Sequence, residues 1–287
     1  MSRFRAGCLQ LNPTDDIERN LAAIERLVAE ATAQGAELVC LPEYASFLVR
    51  SARIMKSSAY PEAEHPVLQQ LSAAARRHSI WIMAGSILVL DGIEDRPVNR
   101  SYLIGPDGQS VAYYDKIHMF DVVLPDGREL RESAHYCPGA SARVVETPLG
   151  IFGLSICYDL RFPHLYRALA KAGAEALFVP AAFTAQTGPA HWEVLLRARA
   201  IETGAYVLAP ATTGEHPGDW QTYGHAMIID PWGRVLSSAG SEANTVILAD
   251  VDLAEVAKAR SRIPSLTSNP DFRLDVVNSK LKKETAA

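Results

Sequence analysis

Gly153-Leu-Ser-Ile-Cys157-Tyr-Asp-Leu-Arg-Phe-Pro163 carries an apolar run to a cysteine, bends through mixed residues and reaches a proline suited to a first helical turn. It reads as a strand over Ile151–Ile156, a bend at Cys157 and a helix over Pro163–Ala172. The same alternation continues outward. Ala176–Val179 reads as a strand, Ala190–Thr203 as a helix and Tyr206–Ala209 as a strand. Towards the N-terminus, Phe4–Leu11 reads as a strand and Asp16–Gln34 as an amphipathic helix. In that helix Ile17, Leu21, Ile24, Leu27, Val28 and Ala31 recur at three- and four-residue steps, and Gly35 supplies the stop. Glu37–Leu41 is an apolar strand ending at Pro42-Glu43, Val67–His78 a helix, and Ile80–Leu90 a strand.

The middle of the chain changes habit. Asp91-Gly92 and Pro106-Asp107-Gly108 are turns around strands at Ser101–Ile104 and Gln109–Tyr114, and Pro-x-Gly returns at Pro148-Leu149-Gly150 and Pro231-Trp232-Gly233. A strand near Val246–Val251, a short helix and a polar tail from about residue 273 close the chain. Ten or more strands and about five helices, partly alternating and partly hairpin-linked, predict an α/β fold of mixed sheets in layers rather than eight regular βα units. No linker or composition break divides residues 1–287, so a single domain is expected.

The chain has 287 residues, 48% of them hydrophobic, which rules out a disordered protein. Its 28 basic and 33 acidic residues leave a net charge of −5, so no basic domain points to nucleic acid. No run reaches the 18 or so apolar residues of a membrane span, and Met1–Gln10 lacks a signal-peptide core; no membrane partner and a cytoplasmic location are expected. Four cysteines without paired C-x-x-C spacing exclude a disulfide scaffold and point to no metal site.

One of those thiols can be a nucleophile. Cys157, at a strand-to-helix bend, can lie near backbone N–H donors, although a cysteine after an apolar strand is ordinarily core. Cys8 and Cys40, inside strand runs, are assigned to the core, and Cys137 to a loop without an evident partner. Glu43 and Lys116 also terminate apolar strand runs. Each alone reads as a solvated rim charge, and the residues by themselves leave both readings open.

Three strand ends bearing Glu, Lys and Cys are more specific. Leu41-Pro-Glu43, Tyr114-Asp-Lys116-Ile-His118 and Cys157-Tyr-Asp-Leu-Arg-Phe-Pro163 resemble, in order, the three signatures of the nitrilase (carbon–nitrogen hydrolase) superfamily. Pro189-Ala-His-Trp-Glu-Val-Leu-Leu-Arg-Ala-Arg-Ala-Ile-Glu202 and Tyr223-Gly-His-Ala-Met-Ile-Ile-Asp-Pro-Trp-Gly233 resemble its Nit-type amidase branch, and the likeness runs from Arg5 to about Phe272.

The resemblance implies a four-layer αββα sandwich with two mixed sheets, a site at their common edge, and a homodimer formed through the helices after the Lys and Cys segments. It implies Cys157 as nucleophile, Glu43 as general base, Lys116 with the Tyr158 N–H as oxyanion donors, and Glu132 as a supporting carboxylate, with Glu129 its rival. Cysteine attack on a linear amide, a thioester and release of ammonia follow, with no cofactor. Tyr44, Tyr158, His118, Phe183 and Thr184 flank these segments and are candidates for substrate contact or plain packing. Arg161 either binds a substrate carboxylate bidentately or pairs internally with Asp159. His191 and His225 read as structural, and Arg197, Arg199 and Glu202 as ion-paired helix residues. Within the branch, the 191–203 run and Gly214-Glu-His216 lean towards deaminated glutathione amidase activity. Asp252-Leu-Ala-Glu and Arg262-Ile-Pro264 lean towards omega-amidase activity on alpha-ketoglutaramate. A catalytically silent member working by protein interaction would lack Glu43, Lys116 or Cys157; all three are present.

Overall fold

Alternation along the first strand sets the architecture. In β1 (Arg3–Leu11) the side chains of Phe4, Ala6 and Cys8 enter one core, while Leu9 and Leu11 enter another. A strand buried on both faces must lie between two further layers. The computed structural model describes residues 3–92, 94–124, 126–268 and 273–276. The polar tail expected from about 273 lies outside the described residues beyond 276, as does Phe272.

After β1 come α1 (Ile17–Ala33), β2 (Leu38–Cys40), α2 (Ala52–Met55), β3 (Tyr60–Pro61), α3 (Pro66–His78), β4 (Trp81–Met83), β5 (Ile87–Leu90), β6 (Val98–Ile104) and β7 (Ser110–Asp115). A small hairpin follows, β8 (Asp121–Val123) and β9 (Glu129–Arg131). The chain continues through β10 (Arg143–Thr147), β11 (Gly150–Leu154), α4 (Pro163–Lys171), β12 (Ala176–Phe178), α5 (Gly188–Thr203) and β13 (Tyr206–Ala209). It ends with β14 (Ala211–His216), β15 (Trp220–Tyr223), β16 (Met227–Ile229), β17 (Val235–Ser238), β18 (Thr245–Asp252) and α6 (Ala254–Arg262).

One sheet runs β15-β14-β1-β2-β4-β6-β5-β3, with β18 also on β1 and β7 also on β6; the other runs β10-β11-β12-β13-β16-β17. Both are mixed: β1, β2 and β4 pair in parallel, as do β11, β12 and β13, while β1–β18 and β10–β11 are antiparallel. The sheets face each other across Phe4 of β1 and Phe152 of β11, whose ring centroids are 6.0 Å apart. Helices α1 and α3 cover the outer face of the first sheet with Leu21, Ile24, Leu27, Leu68 and Leu71. Helices α4 and α5 supply Leu165, Leu169, Trp192 and Leu196 to the second. The result is the αββα sandwich expected. Complete burial of each large apolar side chain contributes about 1.5–3 kcal/mol.

The strand expected over Ile80–Leu90 is two strands, broken at Ala84-Gly85-Ser86. Gly85 has φ +66, and a Cβ there would lie 2.0 Å from the Pro42 carbonyl oxygen, so the backbones of the two segments touch. Pro42 leads directly into Glu43, and the contact fixes where β2 ends. Cys8 and Cys40 are fully buried, as expected. Cys137 is not partnerless: its Sγ lies 3.3 Å from Glu94 Oε2 and 3.5 Å from the Arg96 carbonyl. Among the described residues no helix is long and apolar enough to cross a membrane.

Gly85→Ala is expected to lower stability by about 2 kcal/mol or more through steric conflict and the left-handed φ, and to reduce activity by displacing Glu43. A melting curve and a turnover rate both indistinguishable from wild type would show that the approach is not limiting.

Candidate active site

Each sheet delivers polar residues to its strand ends, and these meet at one edge of the sandwich. Glu43 follows β2, Lys116 follows β7, Cys157 follows β11, and Ala182 follows β12 by four residues. Glu132 opens the 3-10 turn after the β8–β9 hairpin. All but Ala182 of these were named from sequence, and together they line a cavity of about 310 Å³ with Tyr44, Tyr158, Arg161, Phe183 and Thr184.

Lys116 is the hub. Its Nζ donates to Glu43 Oε1 at 3.1 Å and to both Glu132 oxygens at 2.8 Å, with the ammonium almost wholly buried. Glu43 also accepts from Asn99 Nδ2 at 3.0 Å and from the Ala182 N–H at 2.8 Å. Glu132 accepts from the Phe120 N–H at 2.5 Å and from the Tyr44 hydroxyl at 3.2 Å. A buried ion cluster is tolerable only when its oxygens and protons are satisfied in this way. Burial alone would discharge Lys116, but Glu132 and Glu43 outweigh it and raise its pKa well above the usual lysine value. Burial, with Glu43 nearby, raises Glu132 despite the opposing ammonium.

Cys157 sits at the start of a 3-10 turn, Cys157–Arg161, with φ +48, a conformation a non-glycine residue adopts at a cost of about 1–3 kcal/mol. Its N–H is held by the Pro180 carbonyl at 2.9 Å. Burial, reinforced by the negative charge of nearby Glu43, raises the thiol pKa well above its ordinary value despite the Lys116 ammonium. Burial and that negative charge both favour the neutral thiol over the thiolate. Tyr44 also has positive φ, +54, and its phenol accepts from Asn99 Nδ2 at 3.0 Å.

His118 does not reach the cavity wall. Its ring stacks on Phe162 at 3.6 Å, and its N–H and Nδ1 both engage Asp159, at 3.0 and 2.6 Å. Asp159 also accepts from Tyr114 Oη and the Ile156 N–H, so it ties the Lys116 strand end to the Cys157 turn. The ion pair considered between Arg161 and Asp159 is absent for the same reason: Asp159 is already fully engaged inside the protein. Arg161 instead turns to the cavity, over Phe183 at 5.1 Å and 3.2 Å from His191 Nδ1. Arg199 does more than pair with Glu202: buried, it donates twice to the Leu160 carbonyl and so anchors the Cys157 turn. Glu129, the rival of Glu132, lines the outer cavity and pairs with Arg131.

Asn99, the Ala182 N–H and the Phe120 N–H were not legible from sequence. Asn99 lies in an ordinary strand run, Val98-Asn-Arg-Ser-Tyr102, and backbone donors carry no residue signature. Among the described residues no group of three or more His, Cys, Asp or Glu side chains is arranged to hold a metal ion.

Residues 5–261 match the carbon–nitrogen hydrolase family. The chain is 43% identical over 270 residues to the deaminated glutathione amidase of Synechocystis sp., covering 93% of this chain and 98% of that one. It is 37% identical over 264 residues to the omega-amidase NIT2 of Danio rerio, covering 92% and 94%. Its fold superposes on the C. elegans NitFhit protein with a TM-score of 0.84 at 34% identity, over 94% of this chain and 65% of that longer one. It also matches a variant amidase from Nesterenkonia sp. AN1 that carries the acetamide moiety of fluoroacetamide on its active site cysteine. There the TM-score is 0.75 at 26% identity, over 90% and 93% of the chains. Fold, site and similarity converge: the chain belongs to the carbon–nitrogen hydrolase family, within the nitrilase superfamily. Its likenesses fall in the Nit-type branch, and it is an amidohydrolase.

Lys116→Ala leaves Glu43 and Glu132 facing each other without a cation. Glu132, already raised by burial, then loses the ammonium that opposes the rise, so the stability present at low pH is lost as pH rises through its raised value. The variant is expected to be about 3–5 kcal/mol less stable than wild type near pH 8, with the deficit shrinking towards pH 5. Thermal melts across that range read it directly; a deficit independent of pH contradicts the cluster's ionisation.

Proposed function

We propose that this amidohydrolase cleaves a small carboxylated amide through a thioester on Cys157, with deaminated glutathione as the substrate. The observation that carries the reading is the buried Lys116 bridging Glu43 and Glu132 in the wall of the cavity that Cys157 also lines. In the first step the Cys157 sulfur attacks the amide carbonyl as Glu43 accepts the thiol proton. The oxyanion forms against Lys116 Nζ and the Tyr158 N–H, donors set in place before reaction. Glu43 returns the proton to the departing amine, leaving the acyl group on sulfur. Glu43 then deprotonates a water that attacks the thioester, and the acid and the Cys157 thiol are released. Glu132 keeps Lys116 oriented and ionised, and Arg161 takes a substrate carboxylate.

The likeness to the Synechocystis enzyme supports the substrate. The likeness to the Danio rerio omega-amidase makes alpha-ketoglutaramate the competitor. The leaving group separates them. A primary amide releases ammonia, as the sequence reading expected, but deaminated glutathione has only secondary amides. Cleavage of the amide to its cysteine frees 2-oxoglutarate and cysteinylglycine instead.

The chain acts as one catalytic domain in this reading, because residues from Glu43 to Trp220 wall one cavity. We also propose a homodimer through α5 and the β16–β17 turn. Val194 and Ile201 lie one above the other on α5, and they and Trp232 are exposed; Gly233 packs against Ile201. A cytoplasmic setting is supported by four unpaired cysteines.

Wild type is expected to release 2-oxoglutarate from deaminated glutathione. Cys157→Ala should abolish this, and Glu43→Gln should lower it by about 10²–10⁴-fold; activity persisting in Cys157→Ala overturns the nucleophile. Sedimentation should give a dimer mass that Val194→Asp/Ile201→Asp converts to monomer, and a monomeric wild type overturns the interface.

A further inference from the structure

The cavity beside Cys157 is lined by one lysine and three arginines, and their partners differ. Lys116 is bracketed by Glu43 and Glu132, and Arg131 is paired with Glu129 at 3.2 Å. Arg161 and Arg50 also line it, and among the described residues neither makes an ion pair with a carboxylate. A cavity holding two unmatched guanidinium groups is complementary to a ligand with two separate anionic ends.

The two groups come from different elements. Arg161 closes the same 3-10 turn that Cys157 opens, next to where an acyl group stays bound as a thioester. Arg50 lies on the segment between β2 and α2 and is exposed at the mouth. Its backbone is held in place: its N–H donates to the Pro217 carbonyl at 3.0 Å, and a Cβ on Gly218 would come within 2.9 Å of its own Cβ. Trp220, two residues further along that hairpin, lines the cavity beside it and packs on the cluster of Phe47, Leu48 and Val49. Among the described residues the guanidinium itself makes only a long contact, 3.5 Å, to the Gly218 carbonyl, so it retains donors for a ligand.

We infer that Arg50 binds a carboxylate on the amine side of the scissile amide, making the enzyme selective for acyl-peptides over primary amides. The departing amine must leave towards solvent, so the exposed Arg50 is assigned to the amine half, and Arg161, on the Cys157 turn, to the acyl half. A primary omega-amide has nothing to offer Arg50, because its leaving group is ammonia. An acyl-dipeptide such as deaminated glutathione offers its terminal glycine carboxylate. The inference rests on the amidase reading above and sharpens it to a substrate class.

The test compares kcat/KM of the full-length enzyme for deaminated glutathione and alpha-ketoglutaramate, both followed by 2-oxoglutarate release. Arg50→Gln is expected to lower the ratio of the two values about 10–100-fold, the worth of a charge-assisted hydrogen bond, through KM rather than kcat. Arg50→Lys should retain part of the preference. An analogue with the glycine carboxylate converted to a carboxamide should lose in wild type what Arg50→Gln loses on the native substrate, and lose nothing more in the variant. An unchanged ratio, or equal losses on both substrates, overturns the role of Arg50 while leaving the amidase reading intact. Failure of wild type to turn over either substrate overturns the amidase reading for these compounds, and the inference with it.

Discussion

An ammonium ion buried between two carboxylates organises this protein. Lys116 cannot be neutralised without stranding Glu43 and Glu132, and neither carboxylate can be buried without it. The surrounding structure reads as the set of donors this arrangement requires. Asn99 and the Ala182 N–H complete Glu43; Tyr44 and the Phe120 N–H complete Glu132. Four strand ends, from two sheets, have to arrive together for that to happen, which is why the site lies at the common edge of the sandwich.

Strain and rigidity are distributed accordingly. Cys157 and Tyr44, both facing the cluster, carry positive φ, and both are held by surrounding bonds. The Cys157 turn is fixed from below by Asp159, which also grips Tyr114 and His118, and from the side by Arg199 on the Leu160 carbonyl. His118 and Arg199 thus act one step removed from the cavity. They hold the Cys157 segment in register with Lys116.

Away from the cluster the cavity changes character. Its inner end is closed, charged and mutually satisfied; its outer end presents arginines with hydrogen-bonding capacity left over beside Trp220 and Phe183. In the proposed reaction, chemistry and recognition therefore draw on different parts of the wall. The first is built from strand ends, which are common to the layered fold. The second is built from Arg161 at the end of the Cys157 turn together with the β2–α2 segment and the β14–β15 hairpin, of which the last two can vary without disturbing the reacting groups.

The strand–bend–helix rhythm around Cys157, the periodicity of α1 and the apolar strands were enough to predict mixed sheets in layers, because side-chain burial follows backbone period. Glu43, Lys116, Cys157 and Glu132 were legible because each stands in a short motif with a characteristic neighbour pattern. Tertiary structure alone decided the rest. The break at Gly85 depends on contact with Pro42, more than forty residues away in sequence. Asn99 and the backbone donors acquire a role only through proximity, since amides have no distinguishing local signal. His118 was open to substrate contact or plain packing, and Asp159, itself committed to the Cys157 turn, draws it inward to the second. Local pattern determines which residues can form elements and carry chemistry; which charges remain unmatched in the cavity is settled only when the distant segments meet.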